Sequence, residues 1–480
     1  MLSRLRGGPR GFIGRNDESA SSVRMVFRSA AGWTWFDSPM ADCDLLIRGG
    51  TVGAAQADVA VSDGAVVAVG PGLELRAAEE LDASGLHVLP GVVDAHVHFN
   101  EPGRAGWEGI ATGSAALAVG GGTTFVDMPL NAHPPTVDAA SFRAKAAAAE
   151  RASLTDFALW GGLVPGNLDR LEELAGLGVV GFKAFMAPSG IDDFEAADDA
   201  TLLEGMARAA GLGLPVAVHA EDAELVTRLG RLAVAEGRTG WRDWCASRPV
   251  EAELTAIARA IGFAADTGCS LHVVHVSTAR GVRLVVEARA RGVDVSCETC
   301  PHYLAFDEDD LERLGAVAKC APPLRLAAER EALRAELRAG AIDLVASDHS
   351  PAPAALKEGD DAFAIWGGIS GCQTLLQTLL GEELGPERVA ALSARNPAER
   401  LRLPRKGRIE PGYDADLALV ELGAVHVLHA DELLYRHRHS PFVGRPLRGR
   451  IVRTILRGRT IVQDGKVVAE PAGRLVRPEA

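Results

Sequence analysis

The stretch VVDAHVHF at residues 92–99 is an apolar run that ends in two histidines, His96 and His98. Side chains two residues apart on a strand point to the same face, so the two imidazoles are expected to lie together. Seven further apolar runs follow along the chain: TTFVDMP (123–129), DFALWGGL (156–163), VGFKAFM (180–186), LPVAVHA (214–220), LHVVHVS (271–277), VDVSCET (293–299) and AIDLVASD (341–348). The chain therefore has eight candidate strands.

Segments rich in Ala, Leu, Glu and Arg lie between these runs, as at 141–152 and 251–265, and are typical of helices. Eight strands that alternate with helices predict an α/β fold, a (β/α)8 TIM-like barrel over residues 91–404. A doubly wound parallel sheet is the alternative.

Short β-rich runs separated by Gly and Asp turns flank this region, at 43–90 and again at 405–470. Neither flank has many strands, so together they predict one small β-sandwich domain built from both chain ends. Residues 1–42 carry several arginines and a polar run without an apolar segment, which predicts a disordered extension. An organelle transit peptide and a true start at Met40 are the alternatives.

The composition narrows the class of protein. The 480 residues carry a formal charge of -14, which argues against nucleic acid or an anionic membrane as partner. Seven cysteines form no paired framework, which favours a reduced cytoplasm, and the isolated CETC at 297–300 gives little support for structural zinc. No apolar run reaches the roughly 18 residues that a membrane helix needs.

Six polar residues follow or interrupt the apolar runs. They are His96, His98, Lys183, His219, His275 and Asp348. Taken singly, each has an ordinary explanation, such as a hydrogen-bonded core histidine or a helix-capping aspartate. Together they fall at the end of a barrel where catalytic groups collect, and this joint pattern predicts a metal centre.

Lys183 is the unusual member of this set, because a protonated lysine has no lone pair and repels a cation. Burial in the apolar run GFKAFM (181–186) lowers the pKa of its amine and keeps the amine nucleophilic. Carboxylation by carbon dioxide would turn it into an anionic carbamate able to bridge two metal ions about 3.5–4 Å apart. Imidazole and carboxylate ligands suit Zn²⁺, with Mn, Co and Fe as other candidates.

The motifs DAHVH, GFKAF, VHAED, HVVHVS and SDHSP resemble those of the amidohydrolase superfamily, in the branch of dihydroorotases, hydantoinases, dihydropyrimidinases and allantoinases. The resemblance covers residues from about 43 to 468. It implies two divalent metal ions, with His96, His98 and Asp348 on one and His219 and His275 on the other. It further implies a carboxylated Lys183 as the bridge and Asp348 as the catalytic base and acid.

Within this branch, HVHFNEPGR (96–104), DMPLNAHPPT (127–136) and FKAFMAPSGIDDF (182–194) look most like allantoinases. Asn100 stands where dihydroorotases carry Arg, and Pro188 where hydantoinases carry a gating Tyr. The resemblance thus implies hydrolysis of allantoin to allantoate. Another cyclic amidase of the hydantoinase or dihydropyrimidinase type, and a non-catalytic scaffold homologue, are the alternatives.

The resemblance also implies partners and substrate contacts. The expected substrate contacts are Asn100, Cys320, Ser350 and Gly368. A cytoplasmic homotetramer acting on a small molecule, without nucleic acid or membrane as partner, is expected from relatives of this kind.

Overall fold

Eight parallel strands form a closed barrel in the computed structural model, which describes residues 22–29, 32–39 and 41–479. The strands are β1 Val92–Val97, β2 Gly122–Asp127, β3 Asp156–Leu159 with Gly161–Gly162, β4 Phe182–Phe185, β5 Val216–His219, β6 Leu271–Val273, β7 Val295–Thr299 and β8 Leu344–Val345. The ring closes where Val97 bridges to His349 and the His98 amide donates to the His349 carbonyl at 2.8 Å. The predicted (β/α)8 barrel is confirmed.

Helices connect the strands, and the two segments predicted as helices are confirmed. The α-helices are Ile110–Val119, Ala139–Ala152, Leu171–Leu177, Asp199–Gly211, Ala223–Ala235, Trp241–Ser247, Val250–Thr267, Ala279–Ala290, Pro301–Ala305, Glu308–Leu314, Ala327–Ala339, Leu375–Gly381, Pro386–Ala390 and Asn396–Arg400. Asp138 caps the N-terminus of the helix Ala139–Ala152. Its carboxylate accepts a hydrogen bond from the Ser141 amide at 2.8 Å and so satisfies a free backbone donor. Within the described ranges, no helix has the length and apolar character needed to cross a membrane.

Both flanks of the barrel contribute to one further sheet. Its nine strands are Cys43–Val52, Ala55–Ser62, Ala65–Gly70, Ala77–Asp82, His87–Pro90, Leu417–Val427, Pro446–Leu456, Arg459–Gln463 and Lys466–Val467. Antiparallel pairing of His87–Pro90 with Leu417–Val420 joins the two halves. The prediction of one small β domain from both chain ends is thus confirmed, with its strands connected in a single hydrogen-bonded sheet. The division into units at 43–90, 91–404 and 405–470 stays a prediction.

The predicted extension at 1–42 lies in part outside the described residues. Within it, the structure describes two antiparallel strands, Ser22–Ser29 and Gly32–Pro39. That residues 1–42 are a disordered extension stays a prediction.

Apolar residues pack on both sides of the barrel strands. Because neighbouring residues of a strand face opposite ways, Ala217 joins an inner cluster while Val216 and Val218 join an outer one with residues of the helices. With the middle of the barrel filled in this way, polar side chains are accommodated at the strand ends.

A buried ion cluster ties the barrel to the β domain. The Lys406 ammonium lies 2.6 Å from Asp156 at the start of β3, 2.8 Å from Asp414 and 2.7 Å from Asp416. The three carboxylates raise the pKa of Lys406 although burial opposes its charge. The lysine occupies the place that a cation would take among three aspartates, so this cluster is an internal salt bridge.

Candidate metal centre

The structure brings the six predicted ligands together around one cavity of about 300 Å³. They arrive on five different strands or the turns just after them: His96 and His98 from β1, Lys183 from β4, His219 from β5, His275 from β6 and Asp348 from β8. Each strand ends at the same rim of the barrel, which is why residues far apart in sequence meet here.

Two of the histidines converge on the aspartate. His96 Nε2 lies 3.2 Å and His98 Nε2 lies 3.4 Å from Asp348 Oδ1. Ligand atoms of the three residues all lie within 4.8 Å of one another. Burial opposes ionisation of Asp348, but the neighbouring histidines hold the pKa of its carboxyl well below the usual range. Two nitrogens and one anionic oxygen thus face a common point.

The other two histidines form a second pair. His219 Nδ1 lies 3.1 Å from His275 Nε2, and the two rings are 4.8 Å apart. The remaining nitrogen of His219 bonds Glu221 at 2.8 Å, and Glu221 in turn accepts from Arg248 at 3.0 Å. Burial lowers the pKa of both imidazoles, which favours the neutral form that binds metals. The two nitrogens available to bind a metal ion are therefore Nδ1 of His219 and Nε2 of His275.

Lys183 is completely buried, and its Nζ has no hydrogen-bond partner in the described part of the chain. The nitrogen lies 4.7 Å from the centre of the Phe185 ring, which itself stacks on His219. Burial lowers the pKa of the amine to about 8, with Asp348 and Glu298 acting in the opposite direction. A buried amine without a partner is costly, so it requires an explanation at this site.

Glu298 holds the imidazole of His96, and the sequence motifs did not identify it. Its carboxylate lies 2.5 Å from His96 Nδ1 and 3.1 Å from His272 Nε2, and it accepts from the His275 amide at 3.3 Å. Burial opposes its charge, yet the two histidines lower the pKa of Glu298 to about 2. A carboxylate on Nδ1 leaves the lone pair of His96 on Nε2, which faces Asp348.

Several residues at the rim hold unusual backbone conformations. Positive φ angles occur at Asn100 (63°), Asn131 (67°), His275 (40°) and Asp348 (45°). Side chains other than glycine rarely adopt this region, and such outliers concentrate where function constrains the backbone. Two of the four are predicted metal ligands.

Three of the predicted substrate contacts, Cys320, Ser350 and Gly368, line the cavity. Gly368 has φ 128°, and a Cβ there would stand 2.2 Å from the Ser350 carbonyl oxygen, so only glycine fits. Asn100 is not part of the lining: it is buried, and its amide donates to the Pro351 carbonyl at 3.3 Å. Its contact with a substrate stays a prediction.

The cavity wall also contains residues that the motifs did not single out. They include Asn131, Trp244, Arg248, Lys319, Phe363 and Trp366. These come from loops and from the helix Trp241–Ser247, where no periodic pattern marks a residue as facing a site. His349 does not line the cavity, and its Nδ1 accepts from the Gly371 amide at 3.1 Å.

The donor set fits divalent metal ions. One group contains two histidines and a carboxylate, the other contains two histidines, and between them lies a buried amine without a hydrogen-bond partner among the described residues. A (β/α)8 barrel with candidate metal ligands at its C-terminal rim carries them where enzymes of this fold place their active sites. Residues 87–461 match the Amidohydrolase family, and the chain belongs to that family. Members of the family generally bind a binuclear metal centre.

Comparison with curated proteins identifies close relatives. The chain is 59% identical to an allantoinase of Rubrobacter xylanophilus over 448 residues, which cover 92% of this chain and 99% of the relative. It is 54% identical to an allantoinase of Solibacter usitatus over 450 residues, which cover 92% and 98%.

Solved structures show the same fold at lower identity. An L-hydantoinase (dihydropyrimidinase) from Arthrobacter aurescens matches with a TM-score of 0.88 and 35% identity, covering 91% of this chain and all of the other. A dihydropyrimidinase from Brevibacillus agri matches with a TM-score of 0.84 and 31% identity, covering 90% and 98%.

Proposed function

We propose that this protein is a cyclic amide hydrolase that opens the hydantoin ring of allantoin to give allantoate. The observation that carries the proposal is the near full-length similarity to curated allantoinases, at an identity well above that to the hydantoinases. The cavity is consistent with it, because six potential ligands and three predicted substrate contacts line one space large enough for a small heterocycle.

The proposed metal centre contains two divalent ions, Zn²⁺ being the ion that the donor set suits best. His96, His98 and Asp348 would hold one ion, and His219 and His275 the other. Lys183, carboxylated by carbon dioxide, would contribute an oxygen to each, which accounts for an amine without a partner. Bound metal ions supply two effects, a lowered pKa of water and a polarised substrate carbonyl.

Asp348 is the proposed acid–base group. Its carboxyl is ionised, because the neighbouring histidines hold its pKa well below the usual range although burial opposes this, and the carboxylate would accept a proton from the attacking water. The same carboxyl then returns the proton to the leaving ring nitrogen. No covalent bond between substrate and protein forms in this scheme. Phe363 and Trp366 line the cavity, and their apolar rings together with bound substrate would exclude water from the site.

Pro188 argues against the hydantoinase alternative, because it lines the cavity at the position where hydantoinases place a tyrosine. Turnover of racemic allantoin, dihydroorotate, dihydrouracil and other 5-substituted hydantoins by metal-loaded protein separates the candidate activities. We expect allantoin to give the highest kcat/KM. A preference for any of the other three compounds would replace the proposed substrate.

Assembly and location complete the proposal. A homotetramer and a cytoplasmic location are expected for an enzyme of this kind, and light scattering on the purified protein and cell fractionation test them. A non-catalytic scaffold would bind no metal. A preparation that is metal-free and cannot be reconstituted would therefore favour that alternative.

A further inference from the structure

Lys319 is a buried lysine in the cavity wall that forms no ion pair with any described carboxylate, and burial together with the nearby Arg248 lowers the pKa of its amine to about 7. Only 3% of its surface is exposed, and its Nζ donates to the Ile365 carbonyl oxygen. The same nitrogen lies 4.0 Å from the centre of the Trp244 ring, at cation–π distance. A buried amine of this kind holds its proton best when a further group accepts a hydrogen bond from it, so an acceptor in the cavity would favour the ammonium form.

The neighbouring cation, Arg248, is already occupied. Its guanidinium stacks on Trp244 at 4.9 Å and bonds Glu221, the carboxylate that orients His219. Lys319 has no such partner. An ammonium has three N–H donors, of which the Ile365 carbonyl takes one and the Trp244 ring faces another. In the protonated form one N–H donor is therefore left over, on a residue that lines the cavity.

The position of Lys319 indicates which part of a substrate it meets. Its carbonyl accepts from the Gly368 amide at 2.7 Å, and Trp244 contacts Phe363 with ring centres 5.6 Å apart. This wall belongs to a helix and a loop, whereas the six potential ligands lie on or just after the barrel strands. A ring amide that reaches the ligands would leave the substituent on the ring carbon to face the wall.

We propose that the Lys319 ammonium donates a hydrogen bond to the carbonyl oxygen of the substituent on the hydantoin ring, the ureido group of allantoin. This inference rests on the proposed function and assigns Lys319 as the residue that selects for an acceptor on that substituent. An anionic acceptor at the same place binds more tightly still, because the hydrogen bond then joins two charges.

The test uses three compounds and Lys319→Met, which keeps the length of the side chain but removes charge and donors. We expect KM for allantoin to rise about 10- to 100-fold with kcat nearly unchanged, because the bond is made equally in the ground and transition states. The Ki of unsubstituted hydantoin, measured by competition against allantoin, should stay the same. Hydantoin-5-acetate should compete at least about 10-fold better than hydantoin on the wild type, and this advantage should vanish in the variant.

Lys357→Met is the matched control. Lys357 is a half-buried lysine that donates to the Gly368 carbonyl at 2.6 Å and the Ala316 carbonyl at 3.2 Å, but it does not line the cavity. This variant should keep the ratio of allantoin KM to hydantoin Ki.

Equal losses for allantoin and hydantoin in Lys319→Met, no loss for either, or the same selective loss in Lys357→Met would overturn the inference. The wild type gives a result that needs no variant: hydantoin-5-acetate binding no tighter than hydantoin also overturns it. Wild-type protein that does not hydrolyse allantoin contradicts the proposed function itself. An active wild type with an unchanged ratio in Lys319→Met contradicts only the role of Lys319.

Discussion

Replacing Glu298 by glutamine should remove the anionic acceptor that holds His96 while keeping the volume of the side chain. The carboxylate accepts at both oxygens, from His96 Nδ1 at 2.5 Å and from His272 Nε2 at 3.1 Å. An amide has one acceptor and one donor end, so one of the two histidines must change its protonated nitrogen. If that histidine is His96, its Nε2 carries the proton and loses the lone pair that faces Asp348.

The size of the effect follows from these contacts. Hydrogen bonds to a charged group contribute about 1.5–3 kcal/mol, and loss of a residue that orients a metal ligand typically costs about 10- to 100-fold in metal affinity. We therefore expect Glu298→Gln to lose one of two metal ions per chain at chelator concentrations about 10- to 100-fold below those that strip the wild type.

The assay is elemental analysis of the protein after dialysis against graded chelator, with allantoin turnover measured on the same samples. Ser296→Ala is the control, because Ser296 bonds the far nitrogen of His272 at 2.8 Å and does not touch His96. It should lose stability by about 1 kcal/mol and keep its metal. Glu298→Gln protein that retains both ions at wild-type chelator concentrations would refute the orienting role.

Two further predictions concern Lys406 and Lys183. Lys406→Met removes the ammonium among Asp156, Asp414 and Asp416 and should lower the free energy of unfolding by about 3–5 kcal/mol, whereas Met at the exposed Lys466 should leave it unchanged in chemical denaturation. Burial lowers the pKa of Lys183 from 10.5 to about 8, and only the neutral amine attacks carbon dioxide, so the initial rate of carboxylation should rise with pH and reach half its maximum near pH 8. The initial rate at which metal-free protein is reconstituted, measured against pH at a fixed carbon dioxide concentration, tests this prediction. A midpoint of that rate near pH 10.5 would contradict the role of burial.

The sequence was sufficient to predict the barrel and the six residues that gather at its rim. Five of the eight apolar runs contain a candidate ligand, and the ends of parallel strands meet at one edge, so the barrel brings His96, Lys183 and Asp348 together. Gly368 was predicted through the resemblance, and the structure adds the physical reason, a positive φ against the Ser350 carbonyl.

What the sequence could not predict are contacts across the barrel between residues without a spacing relation. Glu298 in VSCET is an acid inside an apolar strand, a signal of a buried partner, but nothing local identifies that partner as His96, about 200 positions away. Lys319 lies in a loop and Trp244 in a helix. No periodic pattern in the sequence predicts that these two side chains contact each other. The motif predicts Asn100 as a substrate contact, and only the structure shows that its side-chain amide donates to the Pro351 carbonyl.

The central claim is that a carboxylated Lys183 joins two metal ions in an enzyme that opens allantoin. Formation of allantoate from racemic allantoin, with metal content measured alongside, tests it in wild-type protein and in Lys183→Ala. The account predicts two metal ions per chain and rapid hydrolysis in the wild type, loss of both in the variant, and recovery of metal binding in the variant on adding short carboxylic acids. Wild-type activity and metal content in Lys183→Ala would contradict the account.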